Sequence, residues 1–200
     1  PMISFKAPRS YVRAGATRYL VNPIARAMVS LGITPNYLTL LGLIITIGSA
    51  PLIATGHLIE GGAVMLGGSL LDMFDGAVAR VSHKTTAFGA FLDSVSDRIG
   101  EIAVLSGMLV FYVKTDSDTG VYLAFGTLSV SLLISYLRAR AEALGIQGDV
   151  GLMGRPERVI VLGIGLLTML LIPALWIVFL LSLVTLIHRT VHVAKNVSKR

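Results

Sequence analysis

Cysteine is absent from the 200 residues, which excludes disulfides, thiolate nucleophiles and thiolate metal sites. Charge is also scarce: only 14% of residues are Asp, Glu, Lys or Arg, against roughly a quarter in a soluble domain. The first twenty residues have no apolar core followed by a cleavage site, so no signal peptide is expected there. No repeat, low-complexity tract or linker interrupts the chain, so residues 1–200 are expected to form a single domain. What is abundant is apolar. Hydrophobic residues make up 54% of the chain and mean hydropathy is +0.79, the composition of a membrane protein.

A helix needs about 20 apolar residues to cross the hydrocarbon layer. Hydropathy predicts six such helices, near residues 35–55, 60–82, 87–113, 119–143, 155–172 and 174–194. The expected fold is therefore all-α: a polytopic membrane protein with a six-helix bundle over 34–194. Local signals support several helix ends. "TPN" at 34–36 offers a capping Thr followed by Pro at the first helical position, and "GRPER" at 154–158 repeats the device. Pro173 suits a break between the last two helices. Residues 1–30, with Arg9, Arg13, Arg18 and Arg26 interleaved among apolar residues and no acid, read as an amphipathic helix on an anionic membrane surface.

The basic residues orient the chain. With the N-terminus in the cytosol, Lys6, Arg9, Arg13, Arg18, Arg26, Arg80, Lys84, Arg138, Arg140, Arg155, Arg158, Arg189, Lys195, Lys199 and Arg200 fall inside, and Lys114 alone falls outside. This is the positive-inside asymmetry of a cell-membrane protein with both termini cytosolic. Because the charge lies at membrane boundaries, the net charge of +6 does not point to nucleic acid.

Against this apolar background stands "DMFDGAVARVSHKTTAFGAFLDSVSD", residues 72–97, with four aspartates. Asp72 and Asp75 are three apart and share a helix face; Asp93 and Asp97 are four apart and share another. A short turn between the two helices brings both pairs together near the cytosolic surface. Converging carboxylates repel one another and lose hydration, and a divalent cation removes both objections. Oxygen ligands without Cys or His favour Mg²⁺, or Mn²⁺, over zinc. Four carboxylates suffice for two ions, the arrangement used for displacement at phosphorus. Gly76, Ala79 and Gly89 leave room for a phosphate or nucleotide to approach. Solvated caps and packing glycines are the competing explanation, which does not account for all four acids at helical spacing beside Gly and Arg.

The run Asp72-x₂-Asp75-Gly76-x₂-Ala79-Arg80-x₈-Gly89-x₃-Asp93-x₃-Asp97 resembles the signature of the CDP-alcohol phosphotransferases. These membrane enzymes move a phosphatidyl or similar group from a CDP-linked donor to an alcohol and release CMP. The resemblance implies that Asp72, Asp75, Asp93 and Asp97 hold the metal and that Asp97 is the general base. It further implies that Gly76, Ala79, Arg80 and Gly89, with Asp72, Asp75 and Asp93, accommodate the cytidine diphosphate of CDP-diacylglycerol. A homodimer is implied by the resemblance alone.

The acceptor is read from "SYLRARAEALGIQGDVGLMGRPER", 135–158. Arg138, Arg140, Arg155, Arg158 and Arg189 could form a cationic pocket for a phosphorylated alcohol, since guanidinium binds phosphate in two-pronged fashion. The competing reading is ordinary positive-inside charge. The stretch is similar to that of actinobacterial phosphatidylinositol phosphate synthases, which implies inositol 1-phosphate as acceptor. Glycerol 3-phosphate, used by phosphatidylglycerophosphate synthases, is the alternative. A cation-coupled transporter is an alternative of another class, although such sites lie near the bilayer midplane in broken helices. Of the remaining residues, Thr85 or Thr86 is expected to cap the third helix, His83 to be a solvated loop residue, and Glu101 to pair with a base.

Overall fold

The structure, a computed structural model, describes residues 21–197. Seven helices occupy nearly all of this range: α1 (Asn22–Ser30), α2 (Pro35–Ala54), α3 (Leu58–Val81), α4 (Ala87–Lys114), α5 (Asp118–Ala143), α6 (Arg155–Leu167) and α7 (Leu171–Val197). Of the segment expected to lie along the membrane surface, only α1 is described, and it packs on α3 through Ala25 against Ala77 and Val78. Lys6, Arg9, Arg13 and Arg18 lie outside the described residues, as do Lys199 and Arg200.

The helix starts follow the local chemistry in part. Thr86 caps α4 by accepting a hydrogen bond from the Gly89 amide at 2.9 Å. Pro35 and Pro156 sit in the first turns of α2 and α6, where a missing N–H costs nothing. Thr34 occupies the N-cap position of α2, but its hydroxyl makes no capping bond. At α6 the Glu157 carboxylate takes that role, accepting from the Gly154 amide at 3.1 Å. Pro173 does not mark the last break; the chain turns at 168–170 and Pro173 falls inside the first turn of α7.

Six crossing helices were expected, and the structure corrects this. Among the described residues four helices are long and apolar enough to cross a membrane: α2, α3, α5 and α7. α4 has the length, 28 residues, but Asp93, Asp97, Arg98 and Glu101 fall between its start and just past its midpoint. α6 ends at Leu167 after 13 residues. At 1.5 Å per residue it covers about 20 Å, short of the hydrocarbon thickness of about 30 Å. Averaged hydropathy ran α6 on to residue 172 because the chain stays apolar through the turn that ends it.

The surface is that of a protein solvated by lipid. Ile44, Leu70, Phe125, Leu133, Ile164, Leu180 and Ile187 are exposed, whereas Thr46, Ser49, Thr127, Ser131, Ser182 and Thr185 are buried. Small residues let the helices approach closely. A Cβ on Gly42 of α2 would lie 2.9 Å from the Gly68 carbonyl of α3, and one on Gly107 of α4 would lie 2.7 Å from the Ala50 carbonyl of α2. The main apolar core, including Ile53, Met65, Leu105, Met108, Leu166 and Leu175, occupies the opposite half of the bundle from the acids. α2 packs along both α3 and α4, α3 along α6, α4 along α5, and α7 along α5 and α6. α4 makes little close backbone approach to α3 or α6, although Met65, Leu105, Met108 and Leu166 join the three helices in the core. An open cleft therefore separates α4 from α3 and α6, at the end of the bundle where α3, α5 and α7 finish and α2, α4 and α6 begin.

Candidate active site

The acids line that cleft. Asp72 and Asp75 project from the last three turns of α3, and Asp93 from the second turn of α4. These three offer carboxylate oxygens that all lie within 4.8 Å of one another. Asp75 is buried and takes a short hydrogen bond, 2.5 Å, from the Thr39 hydroxyl of α2. A hard divalent cation fits this donor set: it is made only of oxygen, its charge is negative, and one ligand is already held by a neighbouring hydroxyl.

Asp97 stands one turn along α4 from Asp93 and outside that group of three. Its Oδ1 meets Arg155 Nη1 at 2.5 Å, and the same guanidinium nitrogen also hydrogen-bonds Asp72 Oδ2. Arg155, in the first turn of α6, thus bridges the acids of α3 and α4. One turn later Arg158, only 2% exposed, gives two parallel hydrogen bonds to Glu101: Nε to Oε1 at 2.6 Å and Nη2 to Oε2 at 3.0 Å. The partner of Glu101, expected to be Arg98 or another base, is therefore Arg158. Arg98 turns back to its own helix and donates to the Ser94 carbonyl.

The widest recess, about 1000 Å³, is lined by all four aspartates together with Arg138, Arg155 and Arg189, and two further recesses flank it. The smaller, about 190 Å³, is lined by Asp75, Gly76, Ala79, Arg80, Gly89 and Asp93 of the signature, with Asn36, Thr39, Lys84 and Thr86 added by the fold. Its turn carries His83, exposed and with a positive φ of 54°. The larger cavity, about 640 Å³, is lined by Asp93, Asp97, Glu101, Glu142 and Asp149 together with Arg98, Arg138, Arg155, Arg158 and Arg189. Both touch Asp93. Arg140 is exposed and lines none of the three.

The arginines differ in their commitments. Arg138 pairs with Glu142 at 2.9 Å and reaches Asp149 at 3.7 Å, at the rim. Arg189 is buried and spends its nitrogens on backbone. Nε and Nη2 donate to the Val150 carbonyl at 3.1 and 3.0 Å, and Nη1 to the Ile134 carbonyl at 2.8 Å. It ties the connection between α5 and α6 to the bundle. Thr39, Glu101 and Asp149 were not among the expected site residues, although Glu101 was expected to pair with a base.

Fold and site together define a class of protein, a helical membrane protein with a carboxylate centre between a small recess lined by the signature residues and a larger one rich in arginine. The family model for CDP-alcohol phosphatidyltransferase matches residues 32–191, and the chain belongs to that family of enzymes. The family sets aside the transporter. The chain is 38% identical over 188 residues to the phosphatidylinositol phosphate synthase of Mycolicibacterium smegmatis, covering 88% of this chain and 84% of that one. Among solved structures it resembles Mycobacterium tuberculosis phosphatidylinositol phosphate synthase in complex with manganese and citrate, with TM-score 0.80 and 35% identity over 87% of this chain and 88% of that one. The same enzyme with CDP-DAG bound matches with TM-score 0.78 and 35% identity, covering 87% of this chain and 93% of that one.

Proposed function

We propose that this enzyme transfers the phosphatidyl group of CDP-diacylglycerol to inositol 1-phosphate, forming phosphatidylinositol phosphate and releasing CMP. The observation that carries the reading is the adjacency of the two flanking recesses: Asp93 on both, and five arginines around the larger cavity. The names of the relatives, phosphatidylinositol phosphate synthases, favour this acceptor over glycerol 3-phosphate.

Asp72, Asp75 and Asp93, with Asp97 alongside, would hold divalent metal, Mg²⁺ as two ions or Mn²⁺, the metal in the similar M. tuberculosis structure. Bound there, it would supply charge neutralisation for the pyrophosphate and the departing CMP. Gly76, Ala79 and Gly89 keep the smaller recess clear for the cytidine diphosphate, and Arg80 at its edge offers a guanidinium to phosphate. Arg155, with Arg138 at the rim, would hold the phosphate of the acceptor in the larger cavity; Arg158 and Arg189 line it while bonded to Glu101 and to backbone carbonyls, and Arg140 adds charge from the exposed end of α5. Asp97 then receives the proton of the attacking hydroxyl. That oxygen bonds to the lipid-side phosphorus as the bond to CMP breaks, and the electron pair leaves with CMP. Most of the work is positioning and electrostatic stabilisation, as is general for phosphoryl-type transfer.

The donor is a membrane lipid, so the enzyme works at a bilayer surface, on the cytosolic face of the cell membrane by its charge asymmetry. Residues 1–200 act as one catalytic unit, with the N-terminal segment along the interface, and the family resemblance favours a homodimer.

CMP release from CDP-diacylglycerol vesicles with Mg²⁺ tests the reading. Inositol 1-phosphate, glycerol 3-phosphate and free inositol are offered separately. Release with inositol 1-phosphate alone, reduced about 10²–10⁴-fold in Asp97→Asn, is the expected result. Preference for glycerol 3-phosphate moves the acceptor and leaves the chemistry; folded protein inert with all three overturns the proposal.

A further inference from the structure

Toward the far half of the bundle, α4 and α6 share the apolar core through Leu105, Met108, Leu162 and Leu166. At the cleft two ion pairs join them: Arg155 with Asp97, and Arg158 with Glu101. The first cannot survive the reaction proposed above, because Asp97 must turn to the acceptor hydroxyl and Arg155 to its phosphate. The second remains. Its two parallel hydrogen bonds at 2.6 and 3.0 Å fix both distance and orientation between the helices, which a single contact would not. Glu101 lies one turn beyond Asp97 on α4, and Arg158 one turn beyond Arg155 on α6, so the pair lies directly below the reacting pair.

We propose that Glu101 is a positioning residue: through Arg158 it sets the separation of α6 from α4, and so the distance between the acceptor phosphate on Arg155 and the base Asp97. This rests on the transfer reaction proposed above. The recess lined by Gly76, Ala79 and Gly89 is built from α2, α3 and α4 and does not depend on α6. Loss of the pair therefore acts on the acceptor and spares the donor.

The experiment measures KM for acceptor and for CDP-diacylglycerol separately in wild type, Glu101→Gln and Glu101→Asp, with thermal melting as the check of folding. Misplacing reacting groups by about 1 Å can cost as much as 10²-fold. Expected is a rise of about tenfold or more in acceptor KM for Glu101→Gln, a fall in kcat and an unchanged donor KM, with partial recovery in Glu101→Asp. An unchanged acceptor KM, equal rises in both KM values, or a fall in kcat alone matched by a smaller folded fraction would each overturn the proposal. If Glu101→Gln does not fold, the same split is read from Glu101→Asp, where a normal acceptor KM overturns it. Wild type separates the two readings. Wild type without CMP release on any acceptor defeats the transfer reaction. Active wild type with an unshifted variant defeats only the role of Glu101.

Discussion

Arg155 and Asp97 meet at 2.5 Å across the cleft between the charged ends of α6 and α4. The contact ties the arginine proposed to hold the acceptor to the acid proposed as base. It also sets Arg155 against metal for the same carboxylates, since its guanidinium bonds Asp72 as well.

Removing that guanidinium should therefore move metal and acceptor in opposite directions. Arg155→Gln is expected to tighten Mn²⁺ binding, followed by paramagnetic resonance titration of the free ion, because a competing positive charge leaves Asp72 and Asp97. Transfer should fall by about 10²–10³-fold, the usual cost of one charge-stabilising donor. Weaker Mn²⁺ binding in the variant would show that Arg155 organises the carboxylates instead of competing for them.

Thr39 supports the metal site from a third helix. Thr39→Val keeps the shape and deletes the hydroxyl that donates to Asp75 at 2.5 Å. Second-layer partners of this kind are worth about 10–100-fold in metal affinity. Isothermal titration with Mn²⁺ should show a loss of at least about tenfold, with little change in melting temperature. Unaltered affinity would make the contact incidental.

Gly107 tests the packing apart from the chemistry. A Cβ there would meet the carbonyl oxygen and Cα of Ala50 at 2.7 and 3.0 Å, backbone atoms that cannot rotate aside. Gly107→Ala should destabilise the bundle by about 1–3 kcal/mol, read as a lower melting temperature in detergent. Turnover per folded molecule should hold, since Gly107 lies in the half of α4 away from the acids. An unshifted melting temperature would mean that α2 and α4 separate at little cost.

Much of the site could be read from spacing. Asp72 with Asp75, and Asp93 with Asp97, share faces because helical periodicity is a local property, and the glycine and arginine between them occur in the same stretch. The partners of these acids were not readable in that way. Thr39 meets Asp75 over a separation of 36 residues, and Arg158 meets Glu101 over 57. Nothing in either local sequence selects one partner among several. The arginines show the same limit: composition collects five of them, but only packing decides that Arg189 spends its donors on Val150 and Ile134, that Arg158 is taken by Glu101, and that Arg140 faces outward.

The membrane spans divide in the same manner. Apolar runs dictate that α2, α3, α5 and α7 can cross, because transfer into lipid depends on the residues a helix exposes and on its length. α4 and α6 were drawn as spans by the same averaging. Where α6 stops is set by the turn at 168–170, and what α4 does with its charges is set by the helices facing it. The sequence by itself determined an all-helical membrane protein with two acidic faces and a cationic excess at one side, all consequences of periodicity and hydration. The tertiary structure alone decided which charge meets which across the cleft, because those contacts depend on the distance between helices, which chain separation does not encode.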